Sequence, residues 1–192
     1  MKYIKESVTN FDVGVFTIED AEELYYKYLK KYDWDYSLKD RIHYFEDFKK
    51  SYYNKNFNET CRFIIAFNAK DILGICQVAD WNESGHYFAN SYCSTNKDYF
   101  GIGVSKRLLE ELFKYFSETY PNETLNFSGY TIDGWLFLRK YVLEYSKKYN
   151  VKIKEKGVEY RGIGKHTKDE FDELSSKTKK EIEDAYGKSD YY

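Results

Sequence analysis

The stretch Cys93-Ser94-Thr95-Asn96-Lys97-Asp98-Tyr99-Phe100-Gly101-Ile102-Gly103-Val104-Ser105-Lys106 reads as a strand, a turn with two glycines and the start of a helix. Apolar residues then recur at helical spacing, at Val104, Leu108, Leu109, Leu112, Phe113 and Phe116. A helix is therefore predicted to begin at the glycines. Glycine allows backbone N–H groups to turn outward, and a helix N-terminus carries about half a positive charge. The stretch predicts a site for an anion such as a diphosphate.

Two common phosphate-binding loops do not fit this stretch. A Walker loop needs Gly-x-x-x-x-Gly-Lys-Ser/Thr, which no segment of the chain supplies. A dinucleotide fingerprint needs a third glycine, where Lys106 stands, and an acidic residue closing the next strand. That strand, predicted within residues 123–129, closes on Asn126-Phe127-Ser128 instead.

The segment Asp98-Tyr99-Phe100-Gly101-Ile102-Gly103 resembles the Arg/Gln-x-x-Gly-x-Gly/Ala motif of the GNAT superfamily of acyl-CoA N-acyltransferases. In that family the motif lies between the fourth strand and the third helix, and its backbone amides hold the coenzyme A pyrophosphate. The resemblance implies that role for Phe100, Gly101, Ile102, Gly103, Val104, Ser105 and Lys106. Asp98 departs from the motif, because a carboxylate stands where the family has a basic or amide side chain.

The other predicted elements follow the family's order. A first helix is expected from a cap at Thr17 and a second from a cap at Ser37. The remaining elements are expected to be strands at Cys61–Phe67, Ile72–Ala79 and Tyr87–Ser94, the helix after the glycines, a strand at Thr124–Ser128, a helix at Ile132–Tyr149 and a strand at Val151–Lys154.

The resemblance implies an α/β (α+β) fold with a GNAT-like central mixed sheet, mostly antiparallel, splayed between strands 4 and 5 and flanked by helices on both faces. We expect an acyltransferase domain over residues 1–156. Residues 157–192 are expected to form a C-terminal extension with a charged helix, docked on that domain or packed against a partner subunit, so a homodimer stays open. A second glycine turn, Arg161-Gly162-Ile163-Gly164-Lys165, is followed by a helix with fewer apolar anchors.

The splayed strands are expected to admit the pantetheine arm of the coenzyme, whose amides pair with a strand edge. Tyr92, Cys93, Ser94 and Thr95 are expected to supply backbone groups on one side. Ser128 and Gly129 are expected to flank the other side.

A tyrosine on the fourth helix often protonates the departing thiolate in this family. Tyr141 and Tyr145 lie one turn apart on the same face, and Tyr141 is the preferred candidate. The family pattern Asn-x-x-Ala-x-x-x-Tyr is not reproduced, since Asp133 as its first member would place Lys140 at the tyrosine position.

The general base is not assigned from the sequence. Asp80, Glu83 and His86 surround the turn before the fourth strand, and Glu83 or His86 could act through a water, but a solvated turn is the better explanation of these residues.

The acceptor pocket in this family is commonly shaped by the first two helices and their connection. That connection, Tyr32-Asp33-Trp34-Asp35-Tyr36, places two carboxylates among three aromatic rings, which suits an ammonium group. A polyamine, an aminoglycoside-like compound or a protein amine would qualify. An exposed turn anchored by its aromatic rings is an equally good interpretation.

Composition fits a globular chain of 192 residues, 42% hydrophobic and 32% charged, with a formal net charge of −2. That charge argues against nucleic acid binding by bulk electrostatics, although Lys147, Lys148, Lys152, Lys154 and Lys156 could form a local patch. We expect no membrane segment and a cytoplasmic location. Cys61, Cys76 and Cys93 are expected to be reduced core residues, and the three histidines show no metal-ligand spacing.

The sequence thus favours an N-acetyltransferase with acetyl-CoA as acyl donor and no metal, acting by direct attack of a primary amine in a ternary complex. Two alternatives stay open: a non-catalytic acyl-CoA-binding or regulatory protein of the same fold, and a phage-type nucleic-acid-modifying enzyme on a related scaffold.

Overall fold

The computed structural model describes residues 10–28, 55–82, 86–127, 129–130, 134–155 and 176–186. Within these ranges the strands are β1 Asp12–Phe16, β2 Arg62–Phe67, β3 Ile72–Asp80, β4 Phe88–Thr95, β5 Thr124–Phe127 and β6 Lys152–Glu155. They form a six-stranded sheet in sequence order. Pairing is antiparallel from β1 to β4 and parallel from β4 to β6. The prediction of a mixed, mostly antiparallel sheet is confirmed.

The helices in the described part of the chain are α1 Ile18–Tyr28, α2 Lys55–Thr60, α3 Val104–Thr119, α4 Arg139–Lys148 and α5 Ser176–Tyr186. A short 3₁₀ turn covers Lys97–Tyr99, and a π-helical turn covers Gly134–Leu138. The helix predicted from Ser37 lies outside the described residues. None of the described helices is long and apolar enough to cross a bilayer.

Helix α3 packs into the larger hydrophobic core through the apolar residues that its sequence places at helical spacing. All six of its periodic apolar residues are buried, from Val104 to Phe116. The helix starts after Gly103 and ends where the Tyr120 N–H donates to the Phe116 carbonyl, with Pro121 next in the chain. Because α3 connects β4 to the parallel strand β5, it packs across one face of the sheet.

Successive side chains of β2 point to opposite faces of the sheet and belong to two different hydrophobic cores. Ile64 and Ala66 point to the side covered by α3 and α4, whereas Phe63 and Ile65 point to the side where Ile18 of α1 and the other members of the second cluster lie. Helices therefore cover both faces of the sheet, as predicted. The central strand β3 is buried along its whole length.

The predicted cap of the first helix is also present. The Asp20 N–H donates to Thr17 Oγ1 over 3.2 Å, and the Thr17 hydroxyl donates to Asp20 Oδ2 over 2.9 Å. A cap of this kind satisfies a backbone donor that the first helical turn would otherwise leave without an acceptor.

The helix predicted at Ile132–Tyr149 is present in two parts over its described residues. Gly134–Leu138 form a π-helical turn, and the α-helix begins only at Arg139. The Arg139 guanidinium binds Glu155 of β6 and lies 4.2 Å from the Trp135 ring centroid. Helical periodicity alone indicates neither the π turn nor these contacts. The remaining boundaries differ from the predictions by one residue or fall next to residues outside the described ranges.

Candidate functional site

The sheet opens between β4 and β5. Strand β4 pairs with β3 from Phe88 to Thr95, whereas among the described residues its pairing with β5 covers Phe88, Ala89 and Asn90. The register also shifts, since Gln77 pairs with Tyr92 and Val78 with Asn90, so one extra residue forms a bulge in β4. The predicted splay between strands 4 and 5 is confirmed. Beyond Asn90, no described residue of β5 pairs with β4, and an edge of this kind is where an extended ligand can join a sheet as an added strand.

A cavity of about 700 Å³ lies beside this opening. Three parts of the chain line it: the end of β4, the glycine turn with the start of α3, and the π turn with the start of α4. Of the residues predicted for the site, those that line it are Cys93, Ser94, Thr95, Phe100, Gly101, Gly103, Val104, Ser105, Lys106 and Tyr141. Sequence reasoning did not single out five further lining residues, namely Tyr99, Gly134, Phe137, Leu138 and Lys140.

The glycine turn has the backbone that its residues predict. Gly101 and Gly103 have φ angles of +84° and +87°, in the region that side chains disfavour, and a Cβ at either position would meet no heavy atom within 4 Å. The space in front of both glycines is therefore open to a ligand.

The first turn of α3 offers backbone donors to that space. Gly103 is the N-cap and makes no side-chain cap bond, and the Arg107 N–H is the first to donate back to the Gly103 carbonyl. The N–H groups of Val104, Ser105 and Lys106 therefore have no acceptor within the helix. The Thr95 and Ser105 hydroxyls lie 2.7 Å apart, which joins the end of β4 to this turn.

Tyr99 fastens the glycine turn to the β2–β3 hairpin. Its hydroxyl donates a short hydrogen bond to Asp71, whose own N–H donates to Asn68 Oδ1 over 2.8 Å. Burial and then the neighbouring carboxylate raise the pKa of the Tyr99 phenol to about 12. Buried Asn96 holds the same segment, since its Oδ1 accepts the Asp98 N–H over 3.0 Å. The turn is thus held in place before any ligand arrives.

Asp98, the departure from the family motif, does not line the cavity. It is exposed within the 3₁₀ turn. Two ammonium groups stand nearer the cavity: Lys106 Nζ lies 5.4 Å and Lys140 Nζ lies 4.8 Å from the Tyr141 ring centroid. Together with the N-terminus of α3, these cations favour an anionic ligand.

Tyr141 and Tyr145 share a face of α4, as predicted, with ring centroids 6.3 Å apart. Tyr141 is half-buried and lines the cavity. Tyr145 is only 2% exposed and packs on Phe113 in the core. Burial raises the pKa of the Tyr145 phenol to about 12, and its hydroxyl has no hydrogen-bond partner among the described residues. The two tyrosines therefore occupy different environments, and Tyr141 has the one that a ligand can reach.

The π turn is fastened to β6 by a polar cluster. Arg139 donates to both oxygens of Glu155, over 3.1 and 3.0 Å, and the Tyr130 hydroxyl donates to Glu155 Oε1 over 2.8 Å. Two parallel hydrogen bonds fix the orientation of an arginine guanidinium relative to the carboxylate that it binds. This cluster fixes the segment that brings Phe137 and Leu138 to the cavity.

Four other predicted binding residues have separate placements. The backbone of Tyr92 pairs with Gln77 in the sheet. Ile102 is 38% exposed and does not line the cavity. Ser128 lies outside the described residues, and Gly129 is half-buried beyond the end of β5.

Asp80 and His86 form an ion pair at the β3–β4 turn, away from the cavity lining. The Asp80 carboxylate is fully buried, 2.7 Å from His86 Nδ1, and accepts the Tyr87 N–H over 2.8 Å. Burial alone would raise the pKa of Asp80, but these bonds hold it below its usual value. The bond to Asp80 raises the pKa of His86. The pair closes the turn, and Glu83 lies outside the described residues.

The three cysteines are free thiols, with Cys61 and Cys76 buried and Cys93 at the cavity wall. Among the described residues, no group of three or more metal-ligating side chains is present. In the basic stretch, Lys148 binds Glu110 of α3, which neutralises part of its charge. The expected acceptor segment 32–36 and the second glycine turn 161–165 lie outside the described residues.

Several solved structures of acetyltransferases are similar to this structure. No family model and no curated protein matches the chain. A ribosomal-protein-alanine N-acetyltransferase from Brucella melitensis biovar Abortus 2308 is 15% identical, covers 68% of this chain and 90% of its own, and has a TM-score of 0.45.

Two further solved structures are similar. An aminoglycoside acetyltransferase from an uncultured soil metagenomic sample, in complex with sisomicin, is 10% identical over 81% of this chain and 97% of its own, with a TM-score of 0.44. A predicted acetyltransferase with acetyl-CoA from Clostridium acetobutylicum is 14% identical over 79% of this chain and 96% of its own, with a TM-score of 0.42. At identities and TM-scores this low, the activities and ligands in those descriptions apply to those proteins alone. By its own strand order, by the opening between β4 and β5 and by the glycine turn that starts α3, this chain has the GNAT-type fold.

Proposed function

We propose that this protein is an N-acetyltransferase that moves an acetyl group from acetyl-CoA to a primary amine. The observation that carries the proposal is the meeting of three features at one cavity: the glycine turn, the end of β4 where it diverges from β5, and Tyr141. An acyl-CoA offers a matching sequence of groups, namely a diphosphate, an extended arm with two amides, and a thioester.

The binding step uses the backbone donors and the cations that line the cavity. The backbone N–H groups at the start of α3 would hold the diphosphate, with Lys106 and Lys140 opposite its charge. The arm would run along the edge of β4 and pair with the backbone of Tyr92, Cys93, Ser94 and Thr95. Neither interaction needs a metal ion.

The chemical step is direct attack. The amine nitrogen forms a bond to the thioester carbonyl carbon, the carbon–sulfur bond breaks, and the thiolate takes a proton from the Tyr141 hydroxyl. The amine loses a proton to solvent, directly or through a base, and the phenolate of Tyr141 is reprotonated from solvent. Cys93 forms no bond to the acyl group in this scheme and acts as part of the cavity wall.

The test uses the purified full chain with acetyl-CoA and a panel of a polyamine, an aminoglycoside and a lysine-containing peptide. Free thiol and the mass of the acetylated product are measured together. We expect Tyr141→Phe to lower kcat at saturating acetyl-CoA by about 100-fold, because a positioned proton donor contributes on that order. Tyr145→Phe is the matched control one turn away and is expected to keep kcat. Equal turnover in both variants would remove Tyr141 from the mechanism.

A second candidate is an acyl-CoA-binding protein without turnover. It is favoured by the composition of the cavity, since the described residues that line it include no Asp, Glu or His to act as base. Coenzyme A found by mass spectrometry on the purified protein, with no thiol release for any amine, would favour this candidate over the enzyme.

A further inference from the structure

Two phenylalanines at the cavity are unusually exposed. Phe100 is 59% and Phe137 is 61% exposed, which makes them the two most exposed of the large hydrophobic side chains in the described ranges. Both line the cavity, one from the glycine turn and one from the π turn. Keeping two phenyl rings in water costs stability that burial would otherwise provide. Exposed apolar surface at the rim of a cavity is typical of a ligand-binding site.

Both rings are mounted on segments that cannot easily fold inward. Phe100 follows Tyr99, which is tied to Asp71 across 28 positions of sequence. Phe137 precedes Arg139 by two positions, and Arg139 is held by both oxygens of Glu155. A ring presented by a fixed backbone loses little conformational freedom when a ligand stacks on it.

The surroundings of the rings indicate which ligand group they suit. The rings border the same cavity as the N–H groups of α3, Lys106 and Lys140, so the ligand has phosphates close to a flat apolar group. A nucleotide has that combination, because a planar base is joined to its phosphates through one sugar. Stacking on aromatic side chains is how proteins commonly hold a base whose polar edge remains in water.

We propose that Phe100 and Phe137 are the stacking contacts for the adenine base of the acyl-donor nucleotide. This inference rests on the proposed function and adds to it the residues that distinguish coenzyme A from a shorter pantetheine thioester. The glycine turn and β4 would then serve the diphosphate and the arm, while the two phenylalanines serve the base.

Calorimetric titration with three ligands tests the proposal: coenzyme A, 4′-phosphopantetheine and 3′,5′-ADP. Phe100→Ala and Phe137→Ala are each expected to raise Kd for coenzyme A and for 3′,5′-ADP by about 5- to 150-fold, the usual effect of losing one stacked ring. Binding of 4′-phosphopantetheine is expected to change by less than about twofold, because that ligand lacks the base. Phe137→Trp, which keeps an aromatic surface, is expected to retain the affinity for coenzyme A.

Tyr26→Ala is the matched control, since Tyr26 is an exposed aromatic residue, at 48%, on α1 rather than at the cavity. The proposal is overturned if the two alanine variants bind coenzyme A as tightly as the wild type, which leaves the proposed function intact. It is also overturned if 4′-phosphopantetheine is weakened as much as coenzyme A. If the alanine variants instead change the sedimentation coefficient and keep ligand affinity, the rings form a protein interface and the proposal is wrong. Wild-type protein that binds no coenzyme A would remove the proposed function and this inference together.

Discussion

Replacing Gly74 with alanine tests how tightly the sheet and α3 are packed beneath the cavity. A Cβ at Gly74 would lie 2.8 Å from the Ser94 carbonyl oxygen, 2.8 Å from Val104 Cγ1 and 3.1 Å from Leu108 Cδ1. Ordinary contacts of a Cβ begin at 3.4 Å, so the two closest atoms would have to move by 3.4 − 2.8, or about 0.6 Å. Since one of these atoms belongs to backbone, rotamer changes alone cannot relieve the contact.

The expected cost follows from that overlap. Overpacking of a core by one methyl group usually costs about 1–3 kcal/mol of unfolding free energy. For a chain of this length, that loss lowers Tm by roughly 2–12 °C. Ser94 and Val104 both line the cavity, so we also expect Kd for coenzyme A to rise by about 10-fold, as a sub-ångström displacement of binding groups can produce.

Urea unfolding and calorimetry with coenzyme A measure the two effects. Val104→Ala introduced on top of Gly74→Ala removes one of the two closest contacts, and we expect a favourable coupling energy of about 0.5–3 kcal/mol between them. Gly101→Ala is the control: its Cβ would meet no heavy atom within 4 Å, but its φ of +84° predicts a backbone cost of about 1 kcal/mol that Val104→Ala does not reduce. Gly74→Ala with wild-type stability and wild-type affinity would refute the packing argument.

Three further predictions follow from the polar contacts. Tyr99→Phe removes the hydrogen bond to the Asp71 carboxylate, so we expect the unfolding free energy in urea to fall by about 1.5–3 kcal/mol and coenzyme A to bind more weakly, whereas unchanged values would mean that this bond does not hold the glycine turn. Tyr145→Phe removes a buried hydroxyl that has no partner among the described residues, so stability in urea should stay the same or rise by up to about 1 kcal/mol, and a loss above that amount would contradict its assignment to the core. The pKa of His86 is raised, so its bond to Asp80 contributes fully to stability below the ordinary pKa of histidine, and that contribution is lost as pH rises through the raised value. The pKa of Asp80 is lowered, so its contribution is full above the ordinary pKa of aspartate and is lost as pH falls through the lowered value. Wild-type stability should therefore decline relative to His86→Gln between about pH 6 and pH 8, and parallel profiles of the two proteins would count against the pair.

Local sequence patterns predicted the parts of the fold that depend on neighbouring residues. The six apolar positions of α3, the strands β2 and β3 and the glycine turn are each encoded within one short segment, where periodicity or glycine's backbone freedom decides the structure. The splay between β4 and β5 came instead from the family resemblance, since nothing within either strand indicates where their pairing stops.

The contacts that shape the candidate site join residues far apart in the chain. Tyr99 binds Asp71, 28 positions away, and Arg139 binds Glu155, 16 positions away. No periodicity connects either pair, so sequence reasoning missed both contacts, which hold two walls of the cavity in place. For the same reason it predicted a helix over Ile132–Tyr149 but did not indicate that Gly134–Leu138 form a π turn, which presents Phe137.

In the function proposed here, backbone amides of the glycine turn hold the diphosphate of coenzyme A. An NMR titration of ¹⁵N-labelled full-length protein with coenzyme A observes those amides directly. We expect the largest shifts at Gly101, Gly103, Val104, Ser105 and Lys106, with matching shifts when adenosine 3′-phosphate 5′-diphosphate, which keeps the diphosphate and lacks the pantetheine arm, is used. Saturable binding that moves other amides and leaves these five unchanged would contradict the claim.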